Sequence, residues 1–304
     1  MLQNFCVAGE STGAAIFLLE STEMKKRSLM SSIMNASSMI GIIVASALVT
    51  LLSSQGHIEQ SWRCLFWVGG ITAILGMILR IQAKNTTISN VQQTTQRTGL
   101  ISTLKEHRRA FIAIILASGF SYTTYSTAFT LMNGFVPLVT TLSKTAVMQV
   151  NTALLFIDML LLPCFGYLAS RIGKEKLMIS AALCMTACAL PLFMLLHQAN
   201  LALVIIVRLF IVTIGVAFAA TYHAWAIERV PPEHRYTILA LGCAIGSQLI
   251  GVPTSAICLW LYQVTGWIWA PGVYLTLVAS LASYAIYSSV KAPKTISLAN
   301  FAEV

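Results

Sequence analysis

Two carboxylates stand where few charged groups are tolerated. Glu10 and Asp158 each fall near the middle of a long apolar stretch. A charge at the centre of a membrane helix costs about 2.5–3.5 kcal/mol on insertion scales. A carboxylate there can take up a proton, become neutral and so couple proton movement to a change of packing. The other reading of each is a buried acid hydrogen-bonded to a neighbouring helix. His223 belongs with them, because an imidazole titrates near neutral pH. Arg208 lies toward the end of another apolar stretch. It can snorkel to the interface, or act as a fixed counter-charge for a substrate carboxylate. Tyr122 and Tyr125 are three residues apart and so share one helix face, with Thr123 and Thr124 beside them. Such a face suits a quaternary ammonium group through cation–π attraction, or packs against lipid or core. Trp225 offers the same choice.

A second set of charges repeats. Arg208 and Glu228 are 20 residues apart, and Arg235 follows 7 residues later. Glu20 and Arg27 are also 7 apart, at an offset of 208 from the first set. The offset places the counterpart of Arg208 one residue before Met1. In both copies a long apolar stretch runs into an acid, a short polar loop, an arginine and another apolar stretch. Parallel repeats of helix groups build one large class of membrane transporters. The repeat therefore implies a two-fold carrier of which this sequence covers the later part. Glu20 and Glu228 are expected to pair with basic loop residues and lock a gate rather than to bind substrate, with Arg27, Arg171 and Arg235 as the gating cations.

The elements that must position these residues are membrane helices. Of 304 residues, 57% are hydrophobic and only 10% charged, and the mean hydropathy is +0.79. A soluble domain carries about 25% charge, so this chain cannot cover a water-facing surface. A membrane helix needs about 20 apolar residues. Nine stretches qualify: 1–20, 28–53, 62–82, 110–132, 147–169, 177–197, 202–227, 236–262 and 268–290. The loops alternate in charge. Lys25, Lys26 and Arg27 precede a loop without Lys or Arg. Lys84, Arg97, Lys105, Arg108 and Arg109 precede a loop with only Lys144. Arg171, Lys174 and Lys176, then Arg229 and Arg235, then Lys291 and Lys294, are separated by neutral turns. Positive loops mark the cytoplasm, so the C-terminus is expected inside. The net charge of +9 is then mostly a topology signal, not a nucleic-acid footprint. An outer turn rich in aromatics (Trp260, Tyr262, Trp267, Trp269) reads as an interfacial belt.

The residues now assembled resemble the major facilitator superfamily, most closely its metabolite:proton symporters, the proline/betaine, α-ketoglutarate, citrate and shikimate carriers. The stretch Gln3–Asn4–Phe5–Cys6–Val7–Ala8–Gly9–Glu10–Ser11–Thr12–Gly13–Ala14 is similar to the family's fourth-helix motif, with Asn4 in place of a glycine. Glu20, Lys26, Arg27 and Ser31 look like its 4–5 loop. Trp62, Arg63 and Phe66 resemble the start of its sixth helix, and Pro231 to Tyr236 its 10–11 loop. Gly166 to Lys174 is similar to the 8–9 loop motif, with Ser170 replacing the usual Asp, which puts normal gating in doubt. Lys84–Asn85–Thr86 stands where the family has Glu-Thr-Pro.

The resemblance implies an all-α polytopic membrane protein, an incomplete major-facilitator fold of about nine helices equivalent to helices 4–12. Residues 1–82 would form a partial N-terminal bundle of three helices and 83–109 a cytoplasmic linker. Residues 110–290 would form a six-helix C-terminal bundle and 291–304 a cytoplasmic tail. It implies a bacterial cytoplasmic membrane, a small-molecule substrate and protons as partners, and no nucleic acid. The function so read is a proton-coupled secondary carrier of a small polar metabolite. The alternative is a non-transporting remnant, or one that needs another chain to supply helices. A membrane-embedded enzyme would need clustered acids for a metal or a basic phosphate pocket. The acids here are dispersed, and the seven cysteines show neither zinc spacing nor a disulfide framework. Neither enzyme activity, cofactor nor metal is expected.

Overall fold

The computed structural model describes residues 12–54, 58–86 and 100–291. Glu10 and most of the fourth-helix-like stretch lie outside them. The described chain is built from helices, with no strand among the described residues. In order these are α1 (residues 12–20), α2 (Arg27–Ser54), α3 (Ile58–Thr86), α4 (Leu100–Glu106) and α5 (Arg108–Tyr125). A π-helical turn at Ser126–Leu131 joins α5 to α6 (Met132–Val139). Then come α7 (Lys144–Ile172), α8 (Lys174–Met194), α9 (Leu201–Ile227) and α10 (Arg235–Ile245). A second π-helical turn, Gly246–Gly251, leads to α11 (Thr254–Thr265), and α12 (Ala270–Lys291) follows.

Local chemistry sets the boundaries. Ser143 caps α7 by accepting a hydrogen bond from the Ala146 N–H at 3.2 Å, and Asn200 caps α9 from Leu203 at 2.9 Å. Both satisfy amides that a helix start leaves open. Gly173, at φ 94°, separates α7 from α8 in a conformation that only glycine adopts cheaply. Gly266, at φ 70°, ends α11 in the left-handed region.

Among the described residues, six helices are long and apolar enough to cross a membrane: Arg27–Ala45, Lys144–Ile172, Lys174–Met194, Leu201–Ile227, Pro232–Thr265 and Ala270–Val290. Six of the nine stretches of the sequence reading thus meet that standard, and most of the first, 1–20, lies outside the described residues. The stretch at 62–82 holds only a shorter apolar segment, Phe66–Ile78. The stretch at 110–132 forms a helical run, Arg108 to Val139, across its π turn. Its middle is a ladder of hydroxyls from Ser121 to Thr127, which lowers its hydropathy. The polar segment 83–109 is mostly helical where it is described: α3 runs to Thr86, and α4 and the start of α5 occupy 100–109 with a turn at His107 between them.

The chain groups into two compact units, residues 1–37 with 98–304, and residues 38–97. In the smaller unit the apolar side chains Ile40, Ile42, Phe66, Trp67, Ile71 and Ile74 are exposed. The larger unit has a dense core around α9, whose Val204, Val207, Ile211, Phe218, Trp225 and Ile227 are buried. Phe218 meets Phe120 of α5 edge to face at 4.7 Å. Small residues let helices approach closely in lipid. Gly242, Gly246 and Gly251 receive α5: a Cβ at Gly246 would lie 2.0 Å from Ser118 Oγ, and one at Gly251 2.3 Å from Tyr122 Cβ.

Candidate functional site

Four charged residues of the repeat, Glu20, Arg27, Glu228 and Arg235, converge at one end of the larger unit, and they pair crosswise. Glu20, at the end of α1, binds Arg235, the first residue of α10. Glu228, the residue after α9, binds Lys174 and lies 4.0 Å from Arg27, the first residue of α2. Each acid therefore meets the arginine of the other repeat copy. Arg235 is held further by its Nε donating to the Ile227 carbonyl at 3.0 Å, and Arg27 by its Nε donating to Thr22 O at 3.3 Å. A third ion pair, Arg229 with Glu175, ties α9 to α8, and Arg229 also donates to Ser289 O of α12 at 2.7 Å. Arg171 lies apart from this arrangement. It donates to the Tyr167 hydroxyl and covers that ring at 4.7 Å, and no carboxylate pairs with it among the described residues.

Helix packing lets these charges meet. Ser28, Ser31 and Ser32 are buried on one face of α2. A Cβ at Gly166 of α7 would lie 2.0 Å from Ser32 Oγ and 3.1 Å from the Ser28 carbonyl oxygen. Beside this crossing is a cavity of about 360 Å³ whose wall includes Lys25, Ser28, Ser170, Lys174 and Glu228. Ser170, where the loop motif carries Asp, bonds only its own helix, donating to Tyr167 O at 2.6 Å.

The residues of the apolar interior divide into separate places. Arg208 does not snorkel: it is fully buried. Its guanidinium donates to Ala128 O at 2.9 Å, Val147 O at 3.2 Å, Asn151 Oδ1 at 2.6 Å and Asn133 Oδ1 at 3.2 Å. All four acceptors are neutral, and Nε has no partner among the described residues. The Ala128 carbonyl is available because a π-helical turn shifts the backbone ladder there. Asp158 is buried on α7, seven residues from Asn151, and interacts electrostatically with Tyr125. Tyr125 packs on Phe129 at 4.8 Å between ring centres. Tyr122 is half exposed and lies over Gly251. The two tyrosines thus sit on neighbouring surfaces, one toward α7 and the other toward the second π turn. His223 touches the Tyr222 ring at 5.0 Å. Trp225 is fully buried beneath Arg229, at 5.7 Å.

The pattern reading overlooked Asn133, Asn151, Lys174 and the Arg229–Glu175 pair. Amides inside apolar stretches were a signal for the first two. The others look like ordinary loop charges until the fold brings them together.

A helical protein with membrane-length apolar helices, crosswise ion pairs at one end and lone buried charges within defines a polytopic membrane bundle. The chain belongs to the Major Facilitator Superfamily, whose family model matches residues 1–252. It is 27% identical over 290 residues to a putative proline/betaine transporter of Staphylococcus haemolyticus, covering 92% of this chain and 61% of that protein. It is 25% identical over 295 residues to the proline/betaine transporter of Salmonella typhimurium, covering 92% and 59%. A glycine betaine/proline/ectoine/pipecolic acid transporter of Dickeya dadantii is similar to the same degree, 25% over 295 residues, with coverage of 92% and 59%. The chain spans about three-fifths of the length of these relatives.

Proposed function

We propose that this chain works, alone or with further helices, as a secondary carrier of a small zwitterionic osmolyte of the proline or betaine kind, with organic acids as the second substrate class. The observation that carries the reading is the crosswise pairing of Glu20 with Arg235 and of Glu228 with Arg27. Contacts of this kind hold one end of a duplicated bundle shut and part when the halves rock. Binding energy at a central site then only biases two states.

In this scheme Arg208 supplies the fixed positive charge for a substrate carboxylate. Tyr122 and Tyr125 present aromatic surface to a quaternary or secondary ammonium group, with Trp225 as a further candidate. Asp158 takes up and releases the coupled proton, with Glu10 and His223 as further candidates. Glu20, Arg27, Glu228 and Arg235 form the gate, and Arg171 flanks it. The charged end faces the cytoplasm of a bacterial inner membrane, since Lys and Arg gather in the loops there.

The test is uptake of radiolabelled proline and glycine betaine into proteoliposomes holding this chain alone, with an inward pH gradient imposed. Gradient-driven uptake is the expected outcome. Monodisperse, helical protein that takes up neither solute, nor citrate, would instead support the partner-dependent or non-transporting reading.

A further inference from the structure

One interhelical bond lies deeper than the ion pairs and is uncharged. Asn35 of α2 donates from Nδ2 to the carbonyl oxygen of Ala219 in α9 at 2.9 Å. Asn35 is 8 residues from Arg27 and Ala219 is 9 from Glu228. At 1.5 Å per residue, both ends of this bond lie about 12–13 Å along their helices from the gate charges. Asn35 continues the face of Ser28, Ser31 and Ser32 at helical spacing. That face turns toward α7 and α9, because Ser32 packs on Gly166 and Asn35 on Ala219. Ser31 is fully buried, and its hydroxyl has no hydrogen-bond partner among the described residues. A polar stripe between helices from opposite copies of the repeat is what separates when those copies part.

We propose that Asn35 is a second, inner latch: a positioning residue that holds α2 against α9 and keeps the route from the gate to the membrane centre closed. The inference rests on the gate reading above. Ala219 O already serves the backbone of its own helix, so the amide adds a bond without tying up an unsatisfied group. Such a latch is weak enough to release in each cycle and insensitive to salt, unlike the outer ion pairs.

The test uses the purified full chain with Ser31→Cys as reporter. Its alkylation by N-ethylmaleimide is read by peptide mass spectrometry, with native Cys258, buried in α11, reporting any general unfolding. Asn35→Leu, near in volume but without a donor, should speed labelling at position 31 about two- to tenfold, the shift that one net hydrogen bond supports. Asn35→Gln, which keeps the amide, should stay near the parent rate, and Cys258 should stay protected. Asn35→Ser is the second variant should leucine overpack the site. An unchanged rate in Asn35→Leu while Glu20→Gln raises it would leave the ion-pair gate standing and overturn the latch. A rise in Asn35→Leu but not in Glu20→Gln would support the latch and refute the ion-pair gate. A rate unmoved by either variant would remove both.

Discussion

Glu20 and Arg235 differ in exposure: the side chain of Glu20 is 44% exposed and that of Arg235 10%. The open carboxylate end lets solvent screen the pair and discounts its worth, which suits a contact that, in the proposed cycle, must break. Reversing either charge, Glu20→Arg or Arg235→Glu, should slow uptake, and the double reversal should recover most of it. Failure of the double variant to recover would mean that the two residues act separately. Arg208 is a different case. Its removal leaves two asparagine oxygens and two carbonyls without their donor, at about 1–3 kcal/mol for each buried group left unsatisfied. The two asparagine oxygens carry that cost, since a helix carbonyl such as Val147 O keeps its backbone donor; Arg208→Leu should lower the thermal midpoint of the detergent-solubilised protein as well as abolish uptake. Arg208→Lys keeps the charge but cannot reach acceptors on three segments at once, so it should fold and still bind solute poorly. Asp158→Asn should retain solute exchange across the membrane while losing acceleration by a pH gradient. Equal gradient dependence in that variant would exclude Asp158 as the coupling group.

At the level of elements, the two π turns and the glycines govern how α5 meets the chain from α10 to α11. The carbonyls near each turn are taken by side chains: Ala128 O by Arg208, and Ile250 O by Tyr274 at 2.7 Å and Thr254 at 3.1 Å. Gly246→Ala would place a methyl 2.0 Å from Ser118 Oγ and 2.2 Å from the Ile115 carbonyl oxygen. Because backbone cannot step aside as a flexible side-chain end can, overpacking of about 1–3 kcal/mol or more is expected. A thermal melt of the purified variant checks this. Gly134, whose Cβ position has nothing within 4 Å, should accept alanine with no comparable loss.

For the whole molecule, orientation and gating go together. In intact cells a membrane-impermeant amine reagent should modify Lys144, the first residue of α7, and spare Lys174 and Lys176 until the membrane is broken. The reverse pattern would invert the proposed orientation. The charged end carries two crosswise ion pairs, and the Asn35 bond lies deeper on the same helices. Moving a two-state equilibrium from 1:99 to 99:1 takes about 5.5 kcal/mol. In the proposed cycle, a few contacts of about 1 kcal/mol each would bias such an equilibrium without freezing it, and a solute with modest preference for one state could turn it over.

Much of this was legible in the sequence. Apolar length located the helices to within a few residues, as at Leu201–Ile227 and Lys144–Ile172, because a membrane-depth segment must satisfy its backbone internally. The 208-residue offset identified Glu20, Arg27, Glu228 and Arg235 as equivalent, since duplication leaves equal spacing. Spacing along one copy could not say which acid meets which arginine, and the crosswise exchange is set by how α1 and α2 pack on α9 and α10. Nor could it show that Arg208 turns inward onto Asn133 and Asn151, or that Asn35 reaches a carbonyl 184 residues away. Those are contacts between distant segments. The sequence by itself determined the helices and the family; the tertiary structure alone decided the partners, because local pattern fixes which face of a helix is polar and only packing fixes what that face meets.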